Sequence, residues 1–182
     1  MSTYKDIFSL KGRTALVTGS SRGIGAAIAQ AYAAYGARVV LHGQKPGATA
    51  GVEQAISAAG GDAVSIQGEL SPPGAGGDLI SKSIVSIYAA TKAAQHNLIQ
   101  SLARDYAPRG VLLNTLAPGL IDTDRNAARR DGDPEGWENY VRTLNWMGRA
   151  GAPDEMVGAA LFLASNACSF MTGEAVVMSG GY

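Results

Sequence analysis

Two groups of residues in this chain have types and spacings that could carry chemistry. Tyr88 and Lys92 stand four apart in Tyr88-Ala-Ala-Thr-Lys92, and three glycines fall in Thr18-Gly19-Ser-Ser-Arg-Gly23-Ile-Gly25. Residues four apart on a helix share a face, so a lysine ammonium there would stand beside a tyrosine hydroxyl. A phenol ionises near pH 10 and is a poor proton carrier at neutral pH, but a neighbouring ammonium stabilises the phenolate and moves it toward the working range. The glycines offer something different. A turn free of side chains lets backbone N–H groups and a helix N-terminus approach a diphosphate. Neither group is decisive alone: a Tyr–Lys pair is commonplace on a solvated helix face, and a glycine-rich turn can bind nothing.

The elements that must position these residues can be read around them. Thr14-Ala-Leu-Val-Thr18 is a short apolar run that ends at the glycine turn, and Ala26 to Ala34 follows with Ile24, Ile28 and Ala31 at helical spacing. Gly36 stops that helix, and Arg38-Val-Val-Leu41 resumes as a second buried strand, closing a βαβ unit. A helix near Val52 to Ala59, the turn Gly60-Gly-Asp62 and a strand around Ala63 to Ile66 continue the alternation. Tyr88 opens a long Ala-rich helix that runs to about Ala107, where Pro108-Arg-Gly110 ends it. The alternation predicts an α/β, doubly wound (Rossmann) parallel sheet with helices on both faces, in a single domain over residues 1–182.

The spacing Gly19-x-x-x-Gly23-x-Gly25, followed by Tyr88-x-x-x-Lys92, resembles the short-chain dehydrogenase/reductase family, and within it the 3-oxoacyl-carrier-protein reductase and sugar dehydrogenase branch. Further stretches match in order: Gly110-Val-Leu-Leu-Asn114-Thr-Leu-Ala-Pro118-Gly119 is similar to the sixth strand and the loop below the nicotinamide, and Thr172-Gly173-Glu-Ala-Val-Val177 to the last strand. The resemblance implies that Tyr88 protonates a carbonyl oxygen or deprotonates an alcohol, and that Lys92 also holds the nicotinamide ribose. It implies cofactor contacts from Gly19, Ser21, Arg22, Gly23, Ile24, Gly25, Gly43, Pro118, Gly119, Ile121 and Thr123. Glu69 and Leu70 stand where the family has an aspartate and an aliphatic residue near the adenine. The segment from Asp122 to Gly148, with Trp137, Tyr140, Trp146 and Met147, corresponds to the variable lid over the substrate, and its aromatics read equally as lid or as helix core. A homotetramer or homodimer is implied as well.

The chain departs from the family between its two signatures. The family places two strands, two helices, an Asn-Ala-Gly motif and the catalytic serine there, whereas Pro72-Pro-Gly-Ala-Gly-Gly77 contains no serine. The serine and asparagine of the catalytic set cannot be assigned. In the strand order 3-2-1-4-5-6 the missing strands are central, which leaves facing edges unpaired. On the order of 60 residues are absent, with the break near Ile80/Ser81. The expectation is that these 182 residues belong to a longer chain, the alternative being a truncated, inactive relative.

Cofactor choice can be read from charge. An acid at the end of the second strand would bind a free ribose 2′-hydroxyl, but the chain reads Leu41-His42-Gly43-Gln44-Lys45. Arg22 and Lys45 supply positive charge where a 2′-phosphate would lie, so NADP is favoured, with NAD possible. Composition excludes other classes. The 15 basic and 15 acidic residues balance, which gives no reason to expect nucleic acid or a membrane surface. No apolar run reaches transmembrane length. One cysteine, Cys168, and two histidines, His42 and His96, leave neither disulfide nor metal site and fit a cytoplasmic setting; all three read as structural. With 46% hydrophobic and 16% charged residues the chain is globular, and its 24 glycines exceed the average share of about 7%. The leading expectation is an NADP(H)-dependent oxidoreductase interconverting a small ketone and a secondary alcohol. The rival is a catalytically inactive dinucleotide-binding regulator, which has no need of Tyr88 and Lys92.

Overall fold

The computed structural model describes residues 6–68 and 84–181, with side chains from residue 91 onward in the second stretch. The first half alternates as β1 (Thr14–Val17), α1 (Gly23–Ala34), β2 (Arg38–Gly43), α2 (Ala50–Ala58) and β3 (Asp62–Gln67). The three strands make one parallel sheet in the order β1-β2-β3, with Thr14 opposite Arg38 and Arg38 opposite Asp62. This is the 3-2-1 half of the expected order.

Small residues explain how the layers close. Ala26, Ala29 and Ala33 recur at helical spacing on α1 and are buried, so the helix backbone lies close against the sheet. They join Val39 and Leu41 of β2 and Val52 and Ile56 of α2 in the core. Gly36 turns the chain from α1 into β2 at φ 95°, where a Cβ would stand 2.7 Å from Lys11 Cγ.

The second half holds α3 (Ile84–Tyr106), β4 (Thr115–Pro118), α4 (Ala127–Gly132), α5 (Pro134–Leu144), α6 (Val157–Ala164) and β5 (Ala175–Met178). The helix α3 begins at Ile84, before the expected start at Tyr88, since no Gly or Pro interrupts the sequence between Ile84 and Pro108. The strand expected from Gly110 is confined to Thr115–Pro118. Thr115 N–H donates to Glu174 O and Gly119 N–H to Met178 O, both at 2.9 Å. The two partners step together by four residues, as parallel strands do. β4 and β5 thus form a second, two-stranded sheet, and among the described residues no strand joins it to β1. Leu16 in the edge strand β1 is 59% exposed.

The chain divides into two compact units, one of Met1–Gly68, Leu116–Cys168 and Val177–Tyr182, the other of Glu69–Thr115 and Ser169–Val176. In the first, the Tyr32 hydroxyl donates to Ala160 O on α6 at 3.1 Å, and burial raises its ionisation above the ordinary phenol range. In the second, Asn114 bridges two backbone groups, donating to Met171 O at 2.8 Å and accepting from Glu174 N–H at 3.1 Å.

Candidate functional site

The turn between β1 and α1 is built around its glycines. Gly19 and Gly23 take positive φ of 65° and 56°, a region L side chains rarely adopt. Gly25 has a different constraint: a Cβ on it would stand 2.5 Å from the Gly19 carbonyl oxygen. The turn therefore folds back on the first turn of α1, and Ser21, Arg22 and Ile24 are carried between the glycines at the helix N-terminus. There the unpaired backbone N–H groups and the helix dipole favour an anion. Ser20 is fully buried beneath the turn: its N–H donates to His42 O at 3.1 Å, and its Oγ accepts from His42 N–H at 3.0 Å.

The segment after β4 comes to the same turn. Thr123 Cγ2 would be 3.5 Å from a Cβ on Gly23, and Asp124 stands 3.9 Å from Arg22 in an ion pair with both side chains more than two-thirds exposed. Gly119 and Ile121 are placed by packing. A Cβ on Gly119 would lie 2.6 Å from Ser179 Cα, and Ile121 is buried, bridging to Gly151. Pro118 is exposed at the end of β4. Asp122, just before Thr123, lines a cleft of about 480 Å³ with Arg130, Trp137, Glu138, Arg142 and Arg149. Its arginines are paired with carboxylates, Arg130 with Asp122 and Asp131, Arg142 with Glu138 and Arg149 with Glu155.

At the end of β2, Gly43 is buried, and a Cβ there would approach Ala48 Cβ to 3.1 Å, while Lys45 is exposed beyond it. In the other unit, Tyr88 and Lys92 lie one turn apart on α3, and Lys92 Nζ donates to Gln95 Oε1 at 3.0 Å. The Tyr88 side chain, Glu69 and Leu70 lie outside the described residues. Of the aromatics that read equally as lid or core, Trp137 is buried on α5, as is Val141, whereas Trp146 is 84% exposed.

His42, read as structural, is buried at the end of β2. Its Nδ1 faces the Gly19 amide and its Nε2 the Gly68 carbonyl, contacts that local sequence gives no signal for. Asp124, which faces Arg22, is likewise brought there by a contact that local sequence gives no signal for.

Two family models match this sequence: one described as short chain dehydrogenase over residues 13–84, and one described as Enoyl-(Acyl carrier protein) reductase over residues 75–182. The chain belongs to the short-chain dehydrogenase/reductase family. Within this oxidoreductase family it is 30% identical to galactitol 2-dehydrogenase (L-tagatose-forming) of Cereibacter sphaeroides, with 98% of each chain covered. It is similar to the crystal structure of a 3-oxoacyl (acyl-carrier-protein) reductase from Agrobacterium tumefaciens C58 with NADP bound. That likeness has a TM-score of 0.90 at 51% identity and covers 99% of this chain and 98% of that one. A gluconate 5-dehydrogenase from Beutenbergia cavernae, a putative NAD(P)-dependent enzyme by its description, with NADP bound at low occupancy, matches at TM-score 0.80 and 28% identity over 96% of this chain and 98% of that one. The Rossmann-like fold of the short-chain dehydrogenases is thereby established. The alignment with galactitol 2-dehydrogenase runs over 251 positions against 182 residues here, so at least 69 positions of that relative, the excess of 251 over 182, have no counterpart. The two family models overlap on residues 75–84, the stretch that holds Ile80/Ser81.

Proposed function

We propose that this short-chain dehydrogenase interconverts a ketone and a secondary alcohol by hydride transfer with NADP(H), Tyr88 exchanging the proton and Lys92 assisting it. The observation that carries this reading is the glycine turn, which leaves no room for a Cβ at Gly25 and holds Gly19 and Gly23 in left-handed conformations. Such a cradle fits the diphosphate of a dinucleotide, and the NADP bound by the 51%-identical relative supports the choice of cofactor.

The bound nicotinamide supplies or accepts the hydride. The chain's own residues do the rest. The amides of Ser21, Arg22, Gly23 and Ile24 at the α1 N-terminus would hold the diphosphate, Arg22 and Lys45 would give positive charge to the 2′-phosphate, and Thr123 stands against Gly23 of the same turn. Gly43, Glu69, Leu70, Pro118, Gly119 and Ile121 complete the proposed cofactor contacts. Tyr88 gives its proton to the carbonyl oxygen in reduction and takes it from the alcohol in oxidation, and the Lys92 ammonium stabilises the phenolate and holds the ribose. The sole cysteine, Cys168, is buried, which fits a reducing, cytoplasmic setting, and the assembly proposed is a homodimer or homotetramer.

A second reading is favoured by one observation. The at least 69 positions without counterpart include the family's place for the serine, and a chain without them could hold the dinucleotide and turn nothing over. Titration with NADP⁺ followed by assay of NADPH oxidation with a panel of small ketones separates the two: binding with turnover supports the enzyme, binding without turnover the regulator, and no binding refutes both.

A further inference from the structure

His42 is the last side chain of β2 before Gly43 and is 5% exposed. Its Nε2 lies 2.8 Å from the carbonyl oxygen of Gly68, just beyond β3, and its Nδ1 lies 3.4 Å from the amide nitrogen of Gly19, the first glycine of the turn after β1. A carbonyl oxygen only accepts, so Nε2 carries the ring proton and Nδ1 is left with a lone pair for the Gly19 N–H. One ring thus ties together the C-terminal ends of all three strands of the sheet, the end at which open α/β sheets bind their ligands. The backbone of the same residue holds Ser20, the next residue of the turn, through His42 O and N–H.

We propose that His42 is a positioning residue for the dinucleotide turn, held as the neutral Nε2–H tautomer that accepts from Gly19 and donates to Gly68. This rests on the proposed binding of a dinucleotide by that turn. Loss of the Nδ1 acceptor unties Gly19 from the end of β2. The charged groups on the elements packed around the ring are Arg22 on the turn, paired with Asp124; Lys45 beyond β2; and Glu53 on α2, hydrogen-bonded to Ser65 of β3. None of them is a hydrogen-bond partner of the ring. Glu69, next to Gly68, lies outside the described residues.

The test is the affinity for NADP⁺, measured calorimetrically on wild type, His42→Asn and His42→Phe. Asparagine keeps an acceptor near the position of Nδ1; phenylalanine keeps the ring and removes both contacts. His42→Phe is expected to bind about tenfold more weakly than wild type, with His42→Asn between them. Nitrogen-15 spectra of the wild-type histidine ring are expected to show the Nε2–H tautomer, a readout that needs no variant to fold. Equal affinity of His42→Phe and wild type, or an Nδ1–H tautomer, overturns the role of His42 while leaving dinucleotide binding intact. Absence of NADP⁺ binding by wild type overturns the dinucleotide reading itself, and this role with it.

Discussion

Gly25 sits so close to Gly19 that a methyl group on it would stand 2.5 Å from the Gly19 carbonyl oxygen and 3.2 Å from Ser20 Cα. Both contacts are with backbone, which cannot rotate away as a side-chain end can. Gly25→Val is therefore expected to displace the turn and lower NADP⁺ affinity by at least about tenfold, measured by calorimetry. The helix content by circular dichroism is expected to stay near wild type. Unchanged affinity contradicts the cradle.

The Arg22–Asp124 pair is exposed on both sides at 3.9 Å, so solvent screens it and it contributes little to stability. Its proposed importance is for cofactor choice. Arg22→Ala is expected to weaken NADP⁺ by about tenfold and NAD⁺ by much less, and Asp124→Ala to strengthen NADP⁺, since it removes a carboxylate that competes for the guanidinium. Equal losses for both cofactors on Arg22→Ala show that these residues do not read the 2′-phosphate.

Glu155 accepts from Arg149 at 2.7 Å and from the Ala152 N–H at 2.8 Å, and these contacts hold its carboxyl down to about 2, from an ordinary value of 4.5. A depressed folded pKa contributes stability that is present above 4.5 and is lost as pH falls from 4.5 toward 2. Glu155→Gln is expected to lower stability above that window and to flatten its pH dependence within it, read from denaturant midpoints at several pH values. A midpoint in wild type that does not fall faster than in Glu155→Gln contradicts the pairing.

Leu16 stands 59% exposed on β1, an edge strand among the described residues, and Thr14 to Val17 carry no charge to repel another strand. Wild type is expected to show an average mass by light scattering that rises with concentration, and Leu16→Lys to reduce that rise. A mass that Leu16→Lys leaves unchanged shows that this edge takes no part in association.

The first sheet was legible because glycines punctuate it: Gly19 ends β1, Gly36 separates α1 from β2, and Gly60 with Gly61 precedes β3. That Tyr88 and Lys92 share one helix was legible because their spacing is local to it. His42 was not, since its contacts reach 23 and 26 residues along the chain to Gly19 and Gly68, and a histidine closing a strand carries no local sign of what it will meet. Gly119 stood out as part of a motif, but what crowds it is Ser179, brought there by the pairing of β4 with β5. Trp137 and Trp146 could not be told apart in sequence, because burial of one and exposure of the other follow from which face of α5 packs and where that helix ends. That no strand among the described residues joins β4 and β5 to β1 was foreseeable from the shortness of the stretch between the two signatures.

The central claim is tested most directly by NADPH oxidation with a small ketone, followed together with NADP⁺ affinity in wild type, Tyr88→Phe and Lys92→Ala. The account predicts measurable turnover in wild type. It predicts turnover abolished by Tyr88→Phe at nearly unchanged NADP⁺ affinity, and both lowered by Lys92→Ala. Turnover by Tyr88→Phe equal to that of wild type, or wild type that binds NADP⁺ and oxidises no NADPH with any ketone, contradicts it.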